Sequence, residues 1–316
     1  MRIQRVAVAV GLISGALFLG TQGFAQGENE GQGKVIVTVL PKHEGDATPS
    51  VAAAGAKLKI NGKDASIAKL VPLGANSPVE LVVLIDGSAR NSLGRQFEDL
   101  EKFVKTLPPN VYATFAYMQN GNSVIAGPFS DDHAVVLKGL HLPGGSAGSN
   151  ASPYFCLSDL AKRWPSRNLA ARREVLMITD GVDPYNLRFD PDNPYLQSAI
   201  RDSAKAGLVV YSIYWRGQGW VGNSQYENNT GQNLSLIVTE ATGGKSFWMG
   251  TGNPVSFEPF LEELTRRFNH QYELSFVSTL KGKSEVQQMK LKLSVPGSSV
   301  DAPQQVFVVR PGSTQE

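Results

Sequence analysis

The chain has 316 residues, of which 41% are hydrophobic, 18% charged and 9% aromatic. This balance suits one large domain or a domain with an attachment and excludes collagen, coiled coil and wholesale disorder. A single cysteine excludes an intrachain disulfide and any zinc site of several thiolates, and the 30 basic against 28 acidic residues give a formal charge of only +2.

In chain order the first signal is for export. Met1 to Arg5 is basic, Val6 to Leu19 is apolar, and Gly23-Phe24-Ala25 places small residues where a signal peptidase reads, so residues 1–25 are expected to be removed. The apolar run falls short of the roughly 20 residues that span a bilayer, and no later run approaches that length. The mature protein is therefore expected in the periplasm or outside the cell, without a transmembrane helix. Removing Arg2 and Arg5 leaves 28 basic and 28 acidic residues, a neutral chain with no electrostatic footprint for nucleic acid or anionic membrane.

Residues 26–78 read as an amino-terminal β segment. Lys34 to Leu40 is a β-branched run ended by Pro41, and Ala56 to Ile60 with Ser66 to Leu73 predicts a hairpin around Asn61-Gly62. Residues 79–270 alternate strands with helix-period segments, which implies a doubly wound, mostly parallel sheet of six strands. The predicted strands are Leu81–Ile85, Val111–Met118, Ser123–Ala126, Glu174–Thr179, Leu208–Tyr214 and Lys245–Trp248. The predicted helices lie over Gln96–Leu107, Asp131–Leu140, Leu157–Trp164, Pro194–Ala206, Asn233–Thr242 and Phe257–Asn269. Residues 271–316 return to strands alone: Tyr272–Val277, Met289–Val295 and Gln305–Val309. Neither flank has enough strands to bury a face by itself, so the two are expected to pair as one β-sandwich.

Asp86-Gly87-Ser88-Ala89-Arg90 directly follows a continuous apolar strand, and Thr179-Asp180-Gly181 ends another. Both therefore stand at the carboxyl edge of the sheet, where open α/β folds bind ligands. Carboxylates and hydroxyls without sulfur suit a hard divalent cation such as Mg²⁺. These motifs, in this order of strands and helices, resemble the von Willebrand factor type A (VWA) domain over roughly Val79 to Asn269, and the flanking strands resemble exported bacterial members of that family. The resemblance implies a metal-ion-dependent adhesion site that bridges to an acidic group of a protein partner. Asp86 and Ser88 match its first motif, Asp180 matches its last, and Ser152 stands where a threonine is expected along the chain.

The third motif position is Arg90, which has no lone pair for a metal. Two readings follow: a bound Mg²⁺, or a metal-free relic in which Arg90 neutralises Asp86 or Asp180. Asp183 is a nearby carboxylate, either a ligand-side group or a turn residue before Pro184. The stretch from Trp215 through Trp220 to Tyr226 leaves a strand at the same edge and has the composition of an interaction surface, with the alternative that its tryptophans anchor a loop. The expected function is non-enzymatic binding or adhesion to a protein or cell-envelope partner; a structural envelope component is the alternative. A hydrolase using Ser146 or Cys156 lacks an identifiable base.

Overall fold

The computed structural model describes residues 30–311 apart from 44, 47, 48, 75, 90, 145–151 and 218–223, and only the backbone of Ala54, Ser88 and Asn91. The export signal expected over residues 1–25, together with Arg90, Ser146 and Trp220, lies outside the described residues.

The amino-terminal strands are β1 (Glu30–Pro41), β2 (Lys57–Ile60) and β3 (Lys63–Pro72). Asn61 and Gly62, with φ of 47° and 76°, turn β2 into β3. Consecutive left-handed residues match the right-handed twist of a hairpin, which is why Asn-Gly reads so clearly here.

The α/β unit then runs β4 (Val79–Asp86), α1 (Phe97–Thr106), β5 (Val111–Gln119), β6 (Asn122–Ile125), α2 (His133–Leu137), α3 (Pro153–Lys162), β7 (Arg172–Thr179), α4 (Pro194–Ala206), β8 (Leu208–Tyr214), α5 (Gln225–Thr242), β9 (Ser246–Phe247) and α6 (Glu258–Asn269). Its strand order is β6-β5-β4-β7-β8-β9, parallel except for β6. All eight residues of β4 are buried. Leu81, Val83 and Ile85 pack in one core with Leu100, Phe103 and Leu264 from α1 and α6, while Val82 and Leu84 pack in a second core with Leu157, Ile200 and Val238 from α3, α4 and α5. A strand covered on both faces favours apolar residues along its middle, which explains the unbroken run Leu81–Ile85 between Glu80 and Asp86. The edge strand β6 is shielded by α3: Ser123 N donates to Asp159 at 2.9 Å, and its hydroxyl donates to the Cys156 carbonyl at 2.7 Å.

The chain ends in β10 (Gln271–Thr279), β11 (Glu285–Lys292), β12 (Ser298–Asp301) and β13 (Gln305–Val308). These interleave with the amino-terminal strands in the order β12-β1-β10-β3-β2-β11-β13, all antiparallel. A bridge between Gln32 and Val309 brings β13 back against β1. The flanks thus make one curled sheet, in place of the two-sheet sandwich expected from strand count. Curling is permitted by a bulge between Ser275 and Phe276 and by glycine in β1. A Cβ at Gly33 would lie 2.2 Å from Phe276 Cζ, and one at Gly31 would lie 2.4 Å from Val308 Cγ1. Without side chains at these two points the inner faces close around Val37, Leu58, Leu274, Phe276 and Val308.

A buried polar seam joins the curled sheet to the α/β unit. Arg172 Nη1 donates to the Phe268 carbonyl at 2.9 Å, and Gln271 Nε2 donates to Glu174 Oε1 at 2.9 Å and to Tyr211 Oη at 3.3 Å. Arg267, 2% exposed, pairs with Asp301 of β12 at 2.9 Å. No described helix is long and apolar enough to cross a membrane.

Candidate binding site at the carboxyl edge

β4 and β7 lie side by side, and the chain leaves them in opposite directions across the sheet, β4 toward β5 and β7 toward β8. The crevice at such a reversal is where open α/β sheets take ligands. Asp86 is the last residue of β4, and Thr179 and Asp180 end and follow β7, so the topology brings these three together. Thr179 Oγ1 donates to Asp86 Oδ2 at 2.6 Å and accepts from Gly181 N at 3.0 Å. Asp180 Oδ1 accepts from Val182 N at 2.9 Å.

Ser152 caps α3, its hydroxyl accepting from Tyr154 N at 3.3 Å, and it also bonds the Asp183 carboxyl. Asp183 accepts further from Tyr185 N at 3.0 Å and Asn193 Nδ2 at 3.2 Å. Burial pushes its pKa up, and those three bonds to the carboxylate hold it back. Tyr154 Oη donates to the Gly181 carbonyl at 2.6 Å, and its phenol is raised well above the usual range by burial, with Asp183, Asp180 and Asp86 adding to the shift. The result is a closed polar knot: Asp86, Ser152, Thr179, Asp180 and Asp183 are all buried.

The Thr-Asp-Gly turn owes its shape to contact with α5. Gly181 has φ of 69°, and a Cβ there would meet Gly231 O and Ser235 Oγ at 2.3 Å; a Cβ at Gly231 would meet Asp180 O at 2.1 Å. Two facing glycines let helix and turn backbones touch.

Several expected site residues take other roles. Asp183 is fully buried and anchors the loop that follows β7, so it offers no surface to a partner. Trp215, expected on an interaction loop, is 2% exposed. Its ring packs edge-on against Phe257 at 5.3 Å, and its Nε1 donates to Ser92 Oγ at 3.2 Å, which makes it an anchor of the core. Tyr226 is exposed, but on the first turn of α5 and not on a loop; its hydroxyl accepts from Phe189 N at 3.2 Å. Gly87–Ala89 forms a short 3₁₀ turn that carries Ser88. Cys156 is buried, and burial first, then Asp86, pushes its thiol up to about 12. It is a packed small side chain, not an activated thiolate.

The side chains of Ser88 and Arg90, two of the motif positions, are not among the described groups. No three His, Cys, Asp or Glu side chains among the described residues converge as metal ligands. The Thr179 and Ser152 hydroxyls each bond two chain groups already, and the Asp180 oxygen that meets Val182 N is turned back to its own loop.

Around the knot the edge is aromatic, which the sequence did not single out. Tyr185, 65% exposed, approaches Phe155 at 5.8 Å and Tyr195 at 6.4 Å, and Phe155 lies 4.2 Å from Tyr195 between ring centroids. Tyr214 Oη donates to Asn228 at 2.9 Å beneath α5, and its phenol is pushed up to about 12 by burial and then by Asp180.

No family model matches the chain, and no curated protein matches it in sequence. Solved structures are similar in shape at low identity. An aerotolerance-related membrane protein from Bacteroides fragilis is 13% identical, with a TM-score of 0.45 over 60% of this chain and 98% of that one. The VWA domain of SpRpn10 is 12% identical, with a TM-score of 0.39 over 59% of this chain and 95% of that one. The pilus adhesin SpaC from Lactobacillus rhamnosus GG is 8% identical, with a TM-score of 0.43 over 84% of this chain and 49% of that one. With its 3-2-1-4-5-6 order of strands and an aspartate at each strand end beside the reversal, the α/β unit is VWA-like.

Proposed function

We propose that the chain is an exported, non-enzymatic binding protein that recognises a protein or cell-envelope partner through the carboxyl edge of its α/β sheet, without a bridging metal. One observation carries this reading. Most of the exposed large hydrophobic side chains among the described residues stand on loops and helix starts at that edge, including Tyr185, Leu187, Phe189, Tyr226, Met249 and Val255. Aromatic and Met side chains grouped on one face are the composition of interface cores, whereas scattered single hydrophobics are ordinary. The buried knot beneath supports the loops that present them, and the raised thiol of Cys156 speaks against nucleophilic chemistry there.

Site-specific photo-crosslinking in the producing cell tests the reading. A photoreactive residue at 185, 189 or 226 is expected to capture one and the same partner. The same residue at 112, an exposed position at the start of β5 on the opposite edge, is expected not to. Equal capture from both edges, or none from the carboxyl edge, would sink the proposal.

A further inference from the structure

A cleft among the described residues lies away from that edge. It is a half-open cleft of about 660 Å³ between the starts of β7 and β8 with the end of α4 on one side, and β1, β10 and β13 on the other. Its size is that of a small-molecule site, within the roughly 300–1,000 Å³ such sites occupy.

Its chemistry is divided. Leu169, Val277 and Phe307 contribute to an apolar wall, and Leu169 is left 75% exposed. The charged lining is Lys34, Arg172, Arg173 and Lys205 against Glu273 alone. Lys34 pairs with Glu273 at 3.4 Å, Glu174 acts on Arg172 and Glu80 on Arg173 by charge, and Lys205 carries the surplus. Arg173 donates to the Ala206 carbonyl at 3.3 Å and sits over the Trp164 ring. Arg172 is 5% exposed, donates to the carbonyls of Phe268 at 2.9 Å and Ser77 at 3.2 Å, and has Glu174 acting on it by charge. Its Nε is buried with no hydrogen-bond partner among the described groups. A buried guanidinium donor without an acceptor is costly, and an anionic oxygen is the partner that suits it.

We propose that this cleft binds a free acidic amphiphile of small-molecule size, a carboxylate carried on an apolar chain. The chain lies along the Leu169 and Phe307 wall, and the carboxylate meets the Arg172, Arg173 and Lys205 side. The charge surplus selects the sign of the headgroup, and the apolar wall excludes small hydrophilic anions.

Isothermal titration of the mature chain with dodecanoate below its micelle concentration tests the proposal, with dodecyltrimethylammonium and dodecanol as probes of the same chain length. Saturable binding of one dodecanoate per chain, with the cationic probe at least tenfold weaker, is the expected result. Lys205→Glu should weaken dodecanoate on the order of tenfold. Ala170→Trp, at an exposed lining position, should block it by bulk; both variants should keep the wild-type unfolding midpoint. Equal binding of the cationic probe, or dodecanoate binding unchanged in both variants, overturns the proposal. So does dodecanoate binding lost on Tyr185→Ala, which would place the ligand at the aromatic edge. Sedimentation of the protein with phosphatidylglycerol vesicles, unaffected by Lys205→Glu, would also overturn it by assigning the acidic preference to a membrane surface.

Discussion

Thr179 sits where two chains of hydrogen bonds meet, donating to Asp86 and accepting from the turn that shapes Asp180. Thr179→Val keeps the volume but strips the donor, leaving a carboxylate oxygen buried without it. The expected loss is about 1–3 kcal/mol of stability, read from urea unfolding, with the larger end for a charged acceptor. A change within error would show that Asp86 is satisfied without the hydroxyl. The metal-free reading assigns Arg90 to the same carboxylates through charge. In the metal-free reading its guanidinium supplies the positive charge that a cation supplies in the resembled adhesion site. Arg90→Ser should then lower the thermal midpoint in chelator and restore part of it with Mg²⁺, by the stabilisation any ligand of the folded state contributes. The wild type should show no Mg²⁺ effect; strong saturable stabilisation of the wild type would return recognition to a metal bridge. Asp86 and Asp180 were legible as neighbours at one sheet edge because each directly follows an apolar strand run. Tyr154 and Asn193 were not, because their partners in the knot are distant in sequence: Gly181 is 27 positions from Tyr154, and Asp183 is 10 from Asn193.

At the scale of elements, α5 shows local chemistry and tertiary packing at odds in the sequence. Its first turns, Tyr226 to Gln232, are rich in Asn and Gly and read as loop, yet the helix starts at Gln225. Ser224 and Glu227 form a capping box, with Ser224 N donating to the Glu227 carboxylate at 2.6 Å and Glu227 N to the Ser224 hydroxyl at 3.2 Å. The box was visible in the sequence three residues apart, but Gly231 argued against helix. That glycine is required by the contact with Asp180, a constraint of packing and not of propensity. Ser224→Ala should cost about 1 kcal/mol of stability. It should also loosen the edge that α5 supports, read as faster amide exchange at Tyr226 to Asn229. Unchanged exchange there would show that packing against the Thr-Asp-Gly turn alone holds the helix start.

At the scale of the whole molecule, the seam between the curled sheet and the α/β unit carries a pH dependence. Glu174 is fully buried, and burial raises its pKa from 4.5 to about 7 against the opposing pull of Arg172 first, then Gln271, Tyr211 and Arg267. A folded-state pKa above the unfolded one means that the folded chain holds the proton more tightly. This group's stability contribution is therefore complete below about 4.5, is lost as pH rises to about 7, and is level above that. Glu174→Gln should flatten this part of the profile, raising stability relative to wild type at pH 8 more than at pH 5. Chemical unfolding across that range is the measurement, and parallel wild-type and variant profiles would exclude Glu174 as the source.

The chain by itself determined the α/β unit, because strands buried on both faces demand unbroken apolar runs and amphipathic helices repeat at a period that no strand mimics. It also determined that two aspartates share one edge, since parallel strands end on the same side. Only the tertiary structure decided what the flanking strands build. Composition shows that strands exist, but register and closure depend on which backbones can approach, and Gly31, Gly33 and the bulge at Ser275/Phe276 allow β1 to curl against β13. The fates of Trp215 and Asp183 were decided in the same way. An aromatic or acidic residue after a strand reads alike whether it faces solvent or the core, and the choice was made by Phe257, Ser92, Asn193 and Ser152, brought to it from remote parts of the chain.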